Sequence, residues 1–131
     1  MNFTVSTDLL RFLDGAFFTF HGFVVLVNVF GWIPARMRRL HRAVMAATAF
    51  SWFVLGPLLG YGVGYCFCTD WHWRIRRALG YDDSGNYVQL LFGAFGLHFT
   101  QSVSSLLAYG AFAFAVIAST ILQLCTWLEK K

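Results

Sequence analysis

Charged residues are scarce in this sequence of 131 residues. They make up 12% of the chain, against about 25% in an average soluble domain, while hydrophobic residues make up 58%. A chain of this size buries only about two thirds of its surface, so it lacks the interior that such an apolar excess requires. The scarcity of charge therefore argues against an ordinary soluble domain and favours lipid as the solvent.

Long polar segments are also missing, since none exceeds about twenty residues, and this leaves no room for a second soluble domain. The N-terminal stretch MNFTVSTDLLRFLDG has neither the positive n-region nor the small-residue cleavage site of a signal peptide. We therefore expect one integral membrane domain over residues 1–131, with its first hydrophobic segment retained.

Motifs of catalysis and of nucleic-acid binding are absent as well. The sequence contains no serine, cysteine and histidine pattern of a nucleophilic enzyme and no glycine-rich phosphate loop, so an enzyme is not the first expectation. The net charge of +4 comes from basic residues beside hydrophobic segments rather than along a solvated face, so no nucleic-acid partner is predicted.

Three hydrophobic segments are long enough to cross a bilayer, at about 1.5 Å per helical residue. The predicted fold is an all-α membrane protein with about three transmembrane helices, at residues 12–33, 41–65 and 103–128. Two shorter elements join them: an interfacial helix over residues 70–79, capped by Thr69, and an interfacial or re-entrant segment over residues 87–99.

Basic residues predict the orientation. Four arginines follow the first span within nine residues, and short loops of this kind stay cytoplasmic. Two lysines follow the third span, against three arginines in the loop after the second. We expect a multi-pass protein of a bacterial inner membrane, with its N-terminus outside and its C-terminus in the cytoplasm.

The sequence resembles an uncharacterised family of small bacterial inner-membrane proteins, known as domain of unknown function twenty-seven eighty-four. The resemblance covers about residues 12–90 and implies the membrane architecture, but no activity. The matching pieces are Asp14 and His21, FGW at Phe30 to Trp32, His41, SWF at Ser51 to Phe53, the glycine run Gly56 to Gly64, and GYCFCTDWH at Gly64 to His72.

A polar stripe crosses the first predicted span. Asp14, His21 and Asn28 are spaced by sevens, so they share one helix face over about 21 Å. The stripe could join helices, with Asp14 paired to Arg11 and His21 bonded to a polar group of the second span. Alternatively, because ionisable groups inside a membrane are often functional, it could handle protons, a quinone or another cofactor.

A second group of polar residues lies in the loop after the second span. Cys66, Cys68, Asp70 and His72, with His98 further on, are ligand types of a zinc or other soft-metal site. A helix from residue 70 would keep them from converging, so no metal site is firmly predicted. Other hypotheses are a Cys66–Cys68 disulfide, and haem ligation either by His72 with His98 or by His21 from two subunits. The sequence requires no cofactor, although haem, quinone, pigment or metal all remain open.

Small residues predict two helix-packing faces, Gly56, Gly60 and Gly64 in the second span and Ala111, Ala115 and Ser119 in the third. Together with the stripe they provide more contact surface than three short helices need. The first functional hypothesis is therefore a non-enzymatic accessory or structural subunit of a larger inner-membrane complex, with other membrane subunits as partners. The alternatives are a redox or cofactor-binding membrane protein, and passage of protons or small solutes along Asp14, His21 and Asn28.

Overall fold

A computed structural model describes residues 6–64, 66–81 and 86–131. Within these ranges the chain forms helices and no strands, as the all-α prediction requires. The five principal helices are α1 (Thr7–Phe30), α2 (Arg38–Phe50), α3 (Phe67–Ala78), α4 (Tyr87–Ala94) and α5 (Gln101–Glu129).

Polar caps determine where three helices begin. The side chains of Ser6, Asn86 and Thr100 each accept a hydrogen bond from the backbone N–H three residues later, at 3.2, 2.9 and 3.3 Å. Such caps satisfy backbone donors that a first turn leaves unpaired, each stabilising the helix by about 1 kcal/mol. The starts of α1, α4 and α5 are thus encoded locally.

Two helices, α1 and α5, are long and apolar enough to cross a membrane. Only 11% of the most apolar 18-residue stretch of each helix is buried, whereas the core helix of a soluble protein would be mostly buried. Helix α1 begins five residues before the predicted span 12–33 and ends three residues before its end. Helix α5 encloses the predicted span 103–128. The predicted count of three crossings is not confirmed.

The second predicted span, residues 41–65, does not form one regular helix. After α2 the chain continues through a π-turn at Ser51–Leu55 and a last α-helical stretch at Gly56–Leu58. The N–H of Gly56 donates to Ser51 O, five residues back, immediately before Pro57. A proline lacks the N–H that would continue the ladder, which accounts for the wider turn there. The predicted last residue, Tyr65, lies outside the described residues.

The predicted glycine face of this span is wrong. Gly60 and Gly64 lie beyond the helix with φ of +82° and +83°. Residues other than glycine rarely adopt this left-handed backbone conformation. Only Gly56 is helical. Gly64 nevertheless allows close packing, because a Cβ on it would overlap the hydroxyl of Tyr109 on α5. The close approach is made by a turn against a side chain, not by two helices.

A helix is present where the interfacial helix is predicted, but it starts earlier, since α3 begins at Phe67 and not at residue 70. Thr69 is therefore buried in its first turn and does not cap it. The place of α3 at a membrane interface stays a prediction. Gly80, with φ of +89°, follows the end of the helix. Helix α4 has only eight residues and is followed by a turn at Gly96. The interfacial or re-entrant position of residues 87–99 stays a prediction.

Helix α1 is at the centre of the structure, where it packs against α2, α3 and α5, while α4 packs on α5. The interior is more polar than the surface. The largest fully buried side chains are His41, His72 and Ser104, whereas many large hydrophobic side chains on α1 and α5 are exposed. This distribution is the reverse of that in a soluble domain, where hydrophobic side chains dominate the buried set.

Candidate functional site

The polar stripe of α1 contacts three different elements. Asp14 contacts α3, His21 contacts α4, and Asn28 contacts α2. Successive stripe residues are about 10.5 Å apart along the helix axis. No hydrogen bond between described residues links one stripe residue to the next, so the stripe is three separate contacts.

Asp14 forms a small charged network with α3. Its Oδ1 accepts hydrogen bonds from His72 Nε2 at 2.7 Å and from Arg76 Nη1 at 3.2 Å. His72 is 1% exposed and lies stacked between the rings of Phe17 and Trp73. The predicted pairing of Asp14 with Arg11 is therefore replaced by an interhelical contact. The network joins α3 to the N-terminal half of α1.

His21 stacks on a tyrosine that the sequence did not single out. Its ring lies 4.1 Å from the ring of Tyr87, at an interplanar angle of 14°. The Tyr87 hydroxyl donates to Phe18 O at 2.7 Å, and a Cβ on Gly22 would approach that hydroxyl to 2.9 Å. Gly22 thus provides the space in which Tyr87 lies against α1. Among the described residues, the predicted hydrogen bond of His21 to a polar group of the second span is not formed.

Asn28 bonds to α2 through the NH₂ group of its side-chain amide. Its Nδ2 donates to Thr48 Oγ1 at 2.9 Å, and Thr48 in turn donates to Val44 O at 2.9 Å. The residue is only 6% exposed, and its Oδ1 has no hydrogen-bond partner in the described part of the chain. A buried acceptor without a partner is costly, so this oxygen favours a donor from elsewhere.

A cavity of about 570 Å³ lies between α1, α2, α4 and α5. Its wall is mostly apolar, with a few polar groups that converge on it, among them His21, Asn28 and Tyr61. Trp52 closes one side, in edge-to-face contact with Tyr109 at 5.4 Å. An apolar pocket of this size with few polar groups is typical of a small-molecule site.

The two polar stripe residues in this wall both offer hydrogen bonding to an occupant. The ring nitrogens of His21 have no hydrogen-bond partner among residues 6–64, 66–81 and 86–131, although Tyr87 orients the ring. Asn28 presents its unpartnered Oδ1. The cavity therefore combines one ring that can donate or accept with one buried acceptor.

His41 lies where the end of α1 meets the start of α2. It is fully buried, its Nδ1 donates to Val27 O at 2.9 Å, and it packs against Gly31 at the end of α1. This bond ties the start of α2 to the last turn of α1. Its position outside the cavity wall leaves His21 as the histidine that lines the cavity in the described chain.

The predicted outer ligand group does not form. His72 binds Asp14, Asp70 pairs with Arg74 at 2.8 Å, and His98 is exposed between α4 and α5. Within the described ranges, no three or more His, Cys, Asp and Glu side chains are placed to hold a metal ion. The physical reason is the helix from Phe67, which turns alternate residues to different sides.

Cys66 and Cys68 are free thiols that interact with each other. Hydrogen bonding from the Cys68 thiol lowers the pKa of Cys66 to about 6 and raises that of Cys68. Ser51 Oγ adds a weak hydrogen bond to the Cys66 sulfur at 3.7 Å. Cys66 is therefore the more readily ionised thiol of the pair, and Cys125 on α5 is separate and exposed.

The predicted small-residue face of α5 lies inside the molecule. Ala115 is fully buried and Ser119 is 5% exposed, while Ala111 lines the cavity. The face therefore packs against neighbouring helices of the same chain. It is not a free surface for another subunit.

These features define an all-helical protein with a polar interior, an apolar surface and two helices long enough to cross a membrane. The chain belongs to the family described as Protein of Unknown function (DUF2784), which matches residues 11–125. This confirms the resemblance and extends it to most of the chain. No curated protein and no solved structure matches the sequence.

Proposed function

We propose that this chain is an integral membrane protein of a bacterial inner membrane that binds a small apolar molecule with a hydrogen-bonding ring, of the quinone class, in the cavity between α1, α2, α4 and α5. The observation that carries the proposal is the buried, unpartnered Oδ1 of Asn28 in the wall of that apolar cavity. A hydroxyl of a quinol would satisfy this acceptor, and His21 offers a second hydrogen bond.

The membrane placement is supported by the exposed surface. Phe20 and Phe23 on α1 and Phe114 and Ile117 on α5 are each at least half exposed. In water such a surface would be a strong aggregation liability, whereas in a bilayer it faces hydrocarbon. The arginines after α1 support the predicted orientation, with the N-terminus outside and the C-terminus inside.

The histidines favour a quinone over a haem held by two histidines. His41 lies outside the cavity wall, and the Nε2 of His72 is bonded to Asp14. His21 is left without a second described histidine across the cavity. A quinone has no metal and so needs no axial ligand, and its flat ring could pack against Trp52, Tyr87 and Tyr109 in the cavity wall.

The other two hypotheses lose the features on which they were based. The accessory-subunit hypothesis used two small-residue faces, but Ala115 and Ser119 pack inside the chain and Gly60 and Gly64 lie outside any helix. Passage along the stripe needs a continuous polar route, but Asp14 is bound to α3 and shares no hydrogen bond with His21. Ligand binding is the hypothesis that the cavity favours.

The test measures anaerobic binding of a short-chain quinol, the reduced form whose hydroxyl can donate to Asn28 Oδ1, to the full-length protein in mild detergent, by quenching of tryptophan fluorescence. Ala111→Phe places a ring into the cavity, and we expect it to weaken binding at least tenfold, about 1.4 kcal/mol. Ala113→Phe adds the same ring on an exposed position of the same helix and should leave binding unchanged.

A second pair of variants examines the polar contacts. His21→Ala should weaken binding, while His98→Ala removes an exposed histidine outside the cavity wall and should not. Absence of saturable quenching in the unmodified protein, or equal loss in Ala111→Phe and Ala113→Phe, would overturn the proposal.

A further inference from the structure

A basic groove lies at the end of the bundle where α1 passes into α2. It has a volume of about 770 Å³ and separates the start of α2 from the last three turns of α5. The side chains that define its character are Trp32, Arg38, Arg39, Arg42, Trp127 and Lys130.

No carboxylate in the described part of the chain neutralises the cations of this groove. No acidic residue lines the groove, and Arg39, Arg42 and Lys130 form no ion pair with any described residue. Arg38 is held in place by a hydrogen bond from its Nε to Trp32 O at 3.0 Å, which leaves the outer nitrogens of its guanidinium available. Several like charges in one concave surface create a strong potential for an anion.

The groove also has an apolar side that a free anion would not use. Trp127 is 54% exposed on α5, and Ile121 and Leu124 on the same helix are exposed to a similar degree. Tryptophan is enriched at the level of lipid head groups, where its ring is apolar and its N–H polar. Trp32 and Trp127 therefore indicate that the groove lies at a membrane surface.

We propose that this groove binds the phosphate of an anionic phospholipid head group, with the acyl chains along the exposed apolar face of α5. The proposal rests on the membrane placement proposed above, but not on the cavity or on any quinone. Arginine guanidinium groups bind phosphate oxygens in bidentate fashion, and basic pockets between helices are suited to such head groups.

The experiment counts lipids that stay bound to the full-length protein in mild detergent, by native mass spectrometry after addition of phosphatidylglycerol or phosphatidylcholine. We expect phosphatidylglycerol to be retained and phosphatidylcholine to be lost. The double variant Arg39→Gln with Arg42→Gln should retain phosphatidylglycerol about tenfold less well, since each arginine near a membrane surface favours anionic lipid.

The matched control removes the same charge elsewhere. Arg11 and Arg77 are exposed and lie outside the groove, so Arg11→Gln with Arg77→Gln should change retention less than twofold. A parallel titration with inorganic phosphate distinguishes a head-group site from a site for the free anion. We expect phosphate at millimolar concentration to compete only weakly.

Four results would overturn the proposal. Equal retention of the two lipids would show that the groove does not select the anionic head group. Full competition by inorganic phosphate would show a site for the free anion. Equal loss in both double variants would show a general effect of net charge. Retention of neither lipid would show that the groove does not bind a phospholipid head group.

Discussion

At the α3 end of the bundle Asp14 accepts hydrogen bonds from His72 and Arg76, whereas at the arginine-rich end, residues 36–42, Arg39 and Arg42 have no described carboxylate as partner. Both ends carry several basic residues. The difference is in what the charge does: at the α3 end it joins two helices of the chain, and at the arginine-rich end it faces outward.

The two ends show that the sign of the local charge does not reveal its role. An ion pair with low exposure loses solvation, so removing one partner leaves the other uncompensated. An exposed arginine keeps its water and loses little when its neighbours change. Substitutions at the two ends should therefore have very different effects on stability, and three predictions follow that order.

The largest effect is expected at Asp14. Asp14→Asn keeps the shape but removes the charge that Arg76 and His72 contact, and the Arg76 side chain is only 14% exposed. We expect the free energy of unfolding to fall by about 3 kcal/mol, near the lower end of losses for buried ion pairs. The measurement is reversible unfolding of the full-length protein in mixed micelles.

The control for this variant is Asp8→Asn, which removes an exposed carboxylate from the first turn of the same helix. Its loss should stay below about 1 kcal/mol, because only the helix dipole is affected. If both variants lose the same amount of stability, Asp14 does not join α1 to α3 as the structure shows.

An intermediate effect is expected in the turn that leads towards α3. Gly62 and Gly64 both have positive φ, so alanine at either position adds backbone strain of about 1 kcal/mol. Only a Cβ on Gly64 would also overlap Tyr109, while Gly62 has open space around it. Gly64→Ala should therefore destabilise the protein by about 1 to 3 kcal/mol more than Gly62→Ala, in the same unfolding experiment.

Tyr109→Leu provides the second arm, because it removes both the hydroxyl and the ring atoms that a Cβ on Gly64 would overlap. The double variant with Gly64→Ala should therefore lose less stability than the sum of the two single variants, which counts as recovery. Equal effects of Gly62→Ala and Gly64→Ala, with no recovery, would contradict the close contact between the turn and α5.

The smallest effect is expected at the arginine-rich end. Arg39→Gln removes one of several neighbouring like charges and no ion pair with a described residue, so the free energy of unfolding should change by less than about 0.5 kcal/mol. Arg76→Gln serves as the comparison, since it removes the contact with Asp14 and should be clearly destabilising. The comparison between the two ends fails if Arg39→Gln is the more damaging change.

Much of the fold follows from local patterns in the chain. Hydropathy predicts α1 and α5, because each is apolar over its own length, and the polar caps at Ser6 and Thr100 lie at their starts. Helical periodicity also predicts that Asp14, His21 and Asn28 share one face of α1. All of these depend only on residues within a few turns of one another.

The end of the second helix was harder to predict. Its apolar run continues past Leu58, and hydropathy alone extends a span to residue 65. The helix instead ends after Pro57, where a missing N–H and three left-handed glycines outweigh hydropathy. Backbone conformation decided this boundary, and an apolar run does not report it.

Local patterns in the chain are enough to establish a helical protein with an apolar surface, a polar stripe and an arginine-rich end. Only the tertiary structure decided what each polar group meets: His72 and Arg76 for Asp14, Tyr87 for His21, and a cavity for the open side of Asn28. The physical reason is that these contacts join residues far apart in the chain. Their geometry depends on how whole helices pack, which no local spacing encodes.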